Sequence, residues 1–109
     1  MGKKQDQDVS KEQMEISRIK VPRNGEILAV IEIMLGSDRI RAVCADGNTR
    51  VCRIPGRLRK RVWMRPGDLI LVKPWVVQSN ERADVVYRYT GTQANWLKRK
   101  GYVDNISLE

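Results

Sequence analysis

Histidine and phenylalanine are absent from this chain of 109 residues, and cysteine occurs only twice. Without histidine, the chain lacks the side chain best suited to acid–base work near neutral pH and the commonest zinc ligand. Cys44 and Cys52 do not have the paired spacing of a thiolate metal site, and we interpret both as small apolar residues. Phosphate-binding loops, nucleophile motifs and carboxylate clusters are missing too. We therefore expect a protein that is not an enzyme and binds neither a metal nor a cofactor.

Long apolar runs and phenylalanine-rich strand motifs are missing as well. Nowhere do about 18 apolar residues follow one another, and the first residues do not resemble a signal peptide. We therefore expect a cytoplasmic protein that has no membrane partner. The lack of phenylalanine disfavours cold-shock domains and RNA-recognition motifs, and no two glycines have the Gly-x-x-Gly spacing of a KH domain.

Positive charge is plentiful, and it is concentrated in one segment. The 21 Lys and Arg residues exceed the 13 Asp and Glu residues, which leaves a net charge of +8. Between Arg39 and Arg65 stand nine basic residues and one acid, Asp46, so that this segment alone carries +8. Such a patch fits a phosphate backbone, through charge-assisted hydrogen bonds and counterion release. The alternatives are a solvated surface or a membrane-binding face, but no amphipathic helix with a broad apolar face accompanies the charge.

Glycines recur every nine to eleven residues from Gly25 to Gly67, with apolar segments between them, which is typical of a small β-barrel. We predict a short helix between the third and fourth of five strands, and a C-terminal helix that is capped by Thr92 and ends at Gly101. This layout is that of an all-β oligonucleotide-binding (OB) fold, a five-stranded barrel. The predicted strands cover 26–35, 39–45, 49–55, 68–73 and 83–89. We predict three parts of the chain: a flexible N-terminal tail (1–22), the barrel (23–90) and a C-terminal helix with a short tail (91–109).

The turn between the second and third predicted strands contains Asp46–Asn48 and decides which residues face each other. A two-residue loop would place Ile40 opposite Arg53, whereas a three-residue loop aligns Ile40 with Ile54 and Arg41 with Arg53. We predict the three-residue loop. Like charges that face each other cost stability unless an anion neutralises them, which favours an anionic partner here. This register turns Ile40, Ala42, Cys52 and Ile54 inward and Arg39, Arg41 and Arg53 outward.

The candidate RNA contacts all come from the basic segment. Trp63 directly follows its densest run of charge and is the candidate for stacking on a base, with packing in the barrel as the alternative. We interpret Trp75, Trp96, Tyr87 and Tyr89 as packing residues, and a C-terminal helix as packing through Ala94 and Leu97. The candidate phosphate-binding residues are Arg39, Arg41, Arg53, Arg57, Arg59, Lys60, Arg61 and Arg65.

Seven sequence blocks, taken together and in order, resemble the archaeal branch of the translation initiation factor 1A family, which is related to bacterial initiation factor 1. The blocks are Met34–Arg39, Cys44–Gly47, Arg53–Trp63, Gly67–Asp68, Val72–Trp75, Ala83–Thr90 and Trp96–Tyr102. The resemblance implies an S1-like OB barrel with a C-terminal helical extension. It also implies binding to the small ribosomal subunit near the A site, with Gly56–Trp63 in contact with ribosomal RNA.

The resemblance further implies a role in assembling the initiation complex, with other initiation factors and the initiator tRNA complex as additional partners. We expect the free protein to be a monomer. The sequence ends at Glu109 without the long acidic tail of the eukaryotic factor, so the roles of that tail are not expected here. Two other hypotheses remain open: a general single-stranded RNA-binding protein or RNA chaperone with the same barrel, and a structural protein of the ribosome.

Overall fold

Five strands close into a barrel in the computed structural model, which describes residues 19–59 and 64–103 except for the side chain of Arg59. This confirms the predicted OB-fold barrel with a short helix after the third strand and a C-terminal helix. Neither of the described helices is long and apolar enough to cross a membrane. The elements are β1 (Ile27–Met34), β2 (Arg39–Cys44), β3 (Thr49–Arg53), α1 (Gly56–Arg59), β4 (Leu69–Pro74), β5 (Arg82–Arg88) and α2 (Gly91–Arg99).

The strands follow each other around the barrel in the order β1-β2-β3-β5-β4, and β4 hydrogen-bonds back to β1. The β3–β5 pair is parallel and every other pair is antiparallel. Alternate residues of each strand point inward and fill the barrel with apolar side chains. This interior core contains Ala29, Ile31, Ile40, Ala42, Cys44, Cys52, Ile54, Leu58, Met64, Ile70, Val72, Ala83 and Val85.

Cys44 and Cys52 are free thiols in the interior core, which confirms their interpretation as small apolar residues. Burial raises the pKa of both thiols, that of Cys52 to about 12. Both therefore stay protonated at neutral pH, where the thiolate is the reactive form. Within the described residues, no group of three or more His, Cys, Asp or Glu side chains is placed to hold a metal ion.

A second apolar core lies on the outside of the barrel, over β1 and β4. Leu28 and Leu71, which point outward from these strands, are buried beneath α2 and the segment before β1. Leu97 of α2 is fully buried there, with Ala94 packed beside it, as predicted. From the predicted N-terminal tail, residues 19–21 contact this outer core, and the Tyr89 hydroxyl donates to the carbonyl oxygen of Lys20. Residues 1–18 of that tail lie outside the described residues.

The N-terminus of α2 is capped by Thr90, so the prediction of Thr92 as the cap is wrong. The Thr90 hydroxyl accepts from the backbone N–H of Gln93 at 3.2 Å, and the Gln93 side chain accepts from the backbone N–H of Thr90 at 3.0 Å. This reciprocal pair satisfies two donors that the first helical turn leaves without partners. At the other end, Gly101 takes a left-handed φ of +83° and ends the helix where predicted.

Replacing Thr90 by alanine is expected to lower the free energy of unfolding by about 1 kcal/mol, because the first turn of α2 loses its side-chain cap. Thr92→Ala is the matched control, since it removes the same atoms from a position inside the first turn and should leave the free energy of unfolding nearly unchanged. Urea unfolding followed by circular dichroism measures both. Equal losses in the two variants would contradict the role of Thr90.

The β2–β3 hairpin pairs in a register two residues away from the predicted one. Its loop has the predicted three residues but consists of Ala45–Gly47, where Gly47 takes a φ of +92° and Cys44 pairs with Asn48. Ile40 therefore lies opposite Cys52 and not Ile54, and Arg39 rather than Arg41 lies opposite Arg53. A shift of two residues keeps every side chain on its face, so the predicted inward and outward sets are confirmed.

Candidate nucleic-acid interface

The outer surface of the barrel is divided into a covered side and an open basic side. Leu28 and Val30 of β1 and Leu69 and Leu71 of β4 point outward and are covered by α2 and residues 19–21. Among the described residues, the outward arginines of the β2–β3 hairpin are exposed. Arg57 is also exposed on α1, which starts shortly after β3 and is anchored in the interior core by Leu58. We call Arg39, Arg41, Arg53 and Arg57 the basic face.

Arg53 lies between another arginine and a carboxylate. Its Cα partner in β2 is Arg39, and its Cα partner in β5 is Asp84. The Arg53 guanidinium contacts Asp84 at 3.2 Å (Nε to Oδ1) and 3.3 Å (Nη2 to Oδ2). Asp84 therefore offsets part of the repulsion between the two facing arginines. Arg39 has no carboxylate partner among the described residues, and its charge is available to an anion.

Arg41 forms a second exposed ion pair on the basic face. A bulge in β1 between Ile31 and Ile33 places Glu32 at the surface, where its Oε1 accepts from Arg41 Nε at 2.9 Å. About half of each side chain remains exposed, at 46% and 49%. Exposed pairs of this kind contribute between about 0 and 1 kcal/mol. A phosphate can therefore replace Glu32 or Asp84 as the partner of an arginine at small energetic cost.

Arg50 belongs to the basic segment but not to its surface, since its side chain is only 2% exposed. Its guanidinium donates to both carboxylate oxygens of Asp46, at 3.0 and 2.8 Å, and to the carbonyl oxygen of Ser79 at 2.6 Å. These hydrogen bonds lower the pKa of Asp46 to about 2 and raise the pKa of Arg50. Arg50 thus joins the β2–β3 loop to the β4–β5 loop, and we call this arrangement the Arg50 clasp. The Arg50 clasp engages Asp46, the one acid between Arg39 and Arg65. The other cations of this segment therefore have no acid within the segment to pair with.

The loop between β4 and β5 carries exposed apolar residues that the sequence pattern did not predict as part of a site. Val76 and Val77 are 101% and 73% exposed. Trp75, at the start of the loop, is half-buried and donates from Nε1 to Asp84 Oδ1 at 3.0 Å. Arg82 lies over its ring, 6.0 Å from the centroid. Two adjacent valines between the predicted strands 68–73 and 83–89 were the available signal, because turns usually consist of polar residues and glycine.

Tyr87, Tyr89 and Trp96 pack as predicted. Tyr89 is buried in the outer core, and Tyr87 and Trp96 pack against it with part of their surface exposed. Trp96 also stacks on Tyr102, with ring centroids 6.2 Å apart and planes 22° from parallel. These rings serve the contact between α2 and the barrel.

The other predicted phosphate contacts are distributed differently. Arg65 is exposed in the turn before β4, which is joined to β1 by a hydrogen bond from Gly67 N to the Ile31 carbonyl oxygen, at 2.8 Å. It therefore lies outside the hairpin that carries most of the basic face. Lys60, Arg61 and Trp63, together with the side chain of Arg59, lie outside the described residues, and their contact with RNA stays a prediction.

Comparison with known proteins gives a consistent result along nearly the whole chain. The family model described as Translation initiation factor 1A / IF-1 matches residues 16–107. The chain is 55% identical over 104 residues to translation initiation factor 1A of Methanopyrus kandleri, covering 95% of this chain and 87% of that protein. It is 53% identical to the factor of Methanothermobacter thermautotrophicus, covering 82% and 90%. It is 51% identical to that of Pyrococcus abyssi, covering 82% and 79%.

Among solved structures, the chain is similar to the solution structure of translation initiation factor 1 from the Wolbachia endosymbiont strain TRS of Brugia malayi. The two share 20% sequence identity with a TM-score of 0.48, and the match covers 63% of this chain and 82% of that one.

Proposed function

Because this chain belongs to the translation initiation factor 1A / IF-1 family and acts in translation initiation, we propose that it binds the small ribosomal subunit near the A site through ribosomal RNA. The observation that carries the proposal is the division of the barrel surface. The β1–β4 side is buried beneath α2, whereas the β2–β3 side exposes arginines. The strand 2–3 face is also the surface on which OB folds bind oligonucleotides. The basic face therefore combines a suitable position with a suitable charge.

In the proposed mechanism, the basic face binds phosphates by reversible exchange of ion-pair partners. Arg39 and Arg57 have no carboxylate partner among the described residues and bind phosphate directly. Arg41 and Arg53 give up exposed pairs with Glu32 and Asp84, and the phosphate replaces the lost contact. Occupancy of the site then blocks premature entry of tRNA and stabilises a subunit that is ready for initiation. Other initiation factors and the initiator tRNA complex are further proposed partners, and the free protein is proposed to be a monomer.

The outward side chains of β2 and β3 indicate which feature of the RNA is recognised. None of these side chains, all of which the structure describes, is aromatic, so this hairpin offers no ring on which a base could stack. Contacts with phosphates position a protein but carry no sequence information. The hairpin therefore selects the shape of a folded RNA, in which phosphates are fixed at the spacing of the arginines.

A competition experiment on purified small subunits tests this proposal. Hydroxyl-radical footprinting is expected to show protected ribosomal RNA around the A site, and unstructured RNA is expected to displace the protein only at large excess. Displacement at comparable concentration would instead support a general single-stranded RNA-binding protein or chaperone.

A high-salt wash tests the remaining alternative, a structural ribosomal protein. The logarithm of an affinity that rests on phosphate contacts falls linearly with the logarithm of salt concentration. The protein is therefore expected to leave the subunit in the wash and to rebind when salt is lowered. Retention in the washed subunit would identify an integral component.

A further inference from the structure

Two tyrosines at the end of β5 hold two different covers on the barrel. Tyr87 and Tyr89 both pack against the outer core, and their rings meet edge to face with centroids 4.9 Å apart. The Tyr87 hydroxyl donates to Gln93 Oε1 of α2 at 3.2 Å, and the Tyr89 hydroxyl donates to the carbonyl oxygen of Lys20. Burial raises the pKa of Tyr89, so its hydroxyl keeps the proton that it donates. One pair of rings in contact therefore holds both α2 and residues 19–21.

Residues 19–21, which we call the N-terminal strap, cover the outer core without joining the sheet. Ile19 and Val21 pack against this core, and the Lys20 ammonium lies over the Tyr87 ring, 5.8 Å from its centroid. In the part of the chain that the structure describes, no backbone–backbone hydrogen bond joins the strap to a strand or to α2. A segment that is held by side-chain contacts can leave the surface while the strands stay paired.

The helix α2 is attached to the barrel through the same apolar core. Leu97 is fully buried there, and Ala94 and Trp96 pack beside it. The hydrogen bond from Tyr87 reaches Gln93, which is 3% exposed and also belongs to the N-terminal cap of the helix. Because the strap and α2 share the outer core, moving either one exposes apolar surface that the other helps to bury.

We propose that the N-terminal strap and α2 form one latch on the barrel, which opens and closes as a unit. Opening of the strap breaks the hydrogen bond between Tyr89 and Lys20, removes the Lys20 ammonium from Tyr87 and uncovers part of the outer core. Coupling of this kind is reciprocal, so that loosening α2 also loosens the strap. The interior core lies on the other side of the strands, and the barrel stays closed in the open state of the latch. A molecule that draws the strap away thereby releases the C-terminal helix, which links the two ends of the chain.

Hydrogen exchange of α2 amides in Tyr89→Phe tests the coupling, because the hydroxyl that is removed contacts the strap and not the helix. In the unaltered protein, the Ala94 and Lys100 amides, which are bonded inside α2, should be less protected than the Ile31 amide of the barrel. In the variant, their protection is expected to fall about fivefold, as the loss of one neutral hydrogen bond predicts. Tyr102→Phe, on an exposed ring, is the control and should change neither. Unchanged protection in α2, or α2 amides as protected as the barrel, would overturn the latch.

Thiol labelling tests the coupling in the reverse direction. In Val21→Cys the introduced thiol lies in the strap, while both native cysteines are buried and protonated. Adding Tyr87→Phe removes the hydrogen bond to Gln93 of α2 and keeps the ring beneath Lys20. Labelling at position 21 is expected to become about fivefold faster, whereas adding Tyr102→Phe should leave its rate unchanged. The same labelling rate with and without the Tyr87 hydroxyl would show that the strap opens independently of α2 and would refute the proposal.

Discussion

Replacing Arg39 and Arg57 by glutamate is expected to weaken binding to the small ribosomal subunit by about a hundredfold. Both side chains are exposed and have no carboxylate partner among the described residues, so the change removes phosphate contacts and leaves the fold intact. A hydrogen bond to a charged group contributes roughly 1.5 kcal/mol or more, and two such losses amount to a factor of about 100 in affinity. Equilibrium binding measured at several salt concentrations provides the test. The plot of log affinity against log salt should become less steep, by an amount that corresponds to the loss of about two phosphate contacts.

The control for this experiment changes the net charge equally at another place. Arg23→Glu with Lys98→Glu also replaces two exposed cations by acids, but Arg23 precedes β1 and Lys98 lies on α2. Only a small loss of affinity is expected. If the two double variants lost affinity equally, overall charge and not the basic face would determine binding, and loss of the thermal transition in either one would invalidate the comparison.

Replacing Arg50 by methionine is expected to lower the free energy of unfolding by about 3 kcal/mol. The substitution removes the Arg50 clasp and leaves Asp46 and the Ser79 carbonyl oxygen without their buried donor. Breaking a buried ion pair costs about 3–5 kcal/mol, and the lower end applies because Asp46 is one-third exposed. Arg41→Met is the control, since its exposed pair with Glu32 should cost less than about 1 kcal/mol. Urea unfolding measures both values, and equal losses would contradict a structural role of the clasp.

The same variant should respond differently to acid. The pKa of Asp46 is held at about 2 in the folded protein by its hydrogen bonds with Arg50, below its ordinary value of 3.8. A lowered carboxyl pKa stabilises the fold above about pH 4, and this contribution disappears as pH falls towards about 2. The difference in free energy of unfolding between the unaltered protein and Arg50→Met should therefore shrink across this range. A difference that stays constant between about pH 5 and about pH 2.5 would show that Asp46 does not titrate through the clasp.

The limits of sequence-based prediction are visible in the β2–β3 hairpin. Alternation of apolar and charged residues correctly separated the inward Ile40 and Cys52 from the outward Arg39 and Arg53. It could not choose between two registers that differ by two residues, since both give every side chain the same face. The position of Gly47 at the last loop residue, where φ is +92°, decides the register.

Hydrogen-bond and ion-pair partners that come from distant parts of the chain could not be predicted from local sequence. Arg50 is buried because the Ser79 carbonyl oxygen, in another loop, accepts one of its hydrogen bonds. Asp84 reaches Arg53 only through the parallel pairing of β3 with β5. The cap of α2 was different, because Thr90 followed three residues later by Gln93 is a capping-box pattern that local sequence contains. The basic face could thus be predicted, but its ion-pair partners could not.

The closure of β4 onto β1 also affects how molecules of this protein meet one another. An open sheet ends in strands whose outer N–H and C=O groups can pair with another chain, which is a common route to aggregation. Here Ile27–Val30 pair with Leu69–Val72, and each of the five described strands has a neighbour on both sides. Along the paired residues of β1 and β4, the described sheet therefore has no open edge to which a second copy could add a strand.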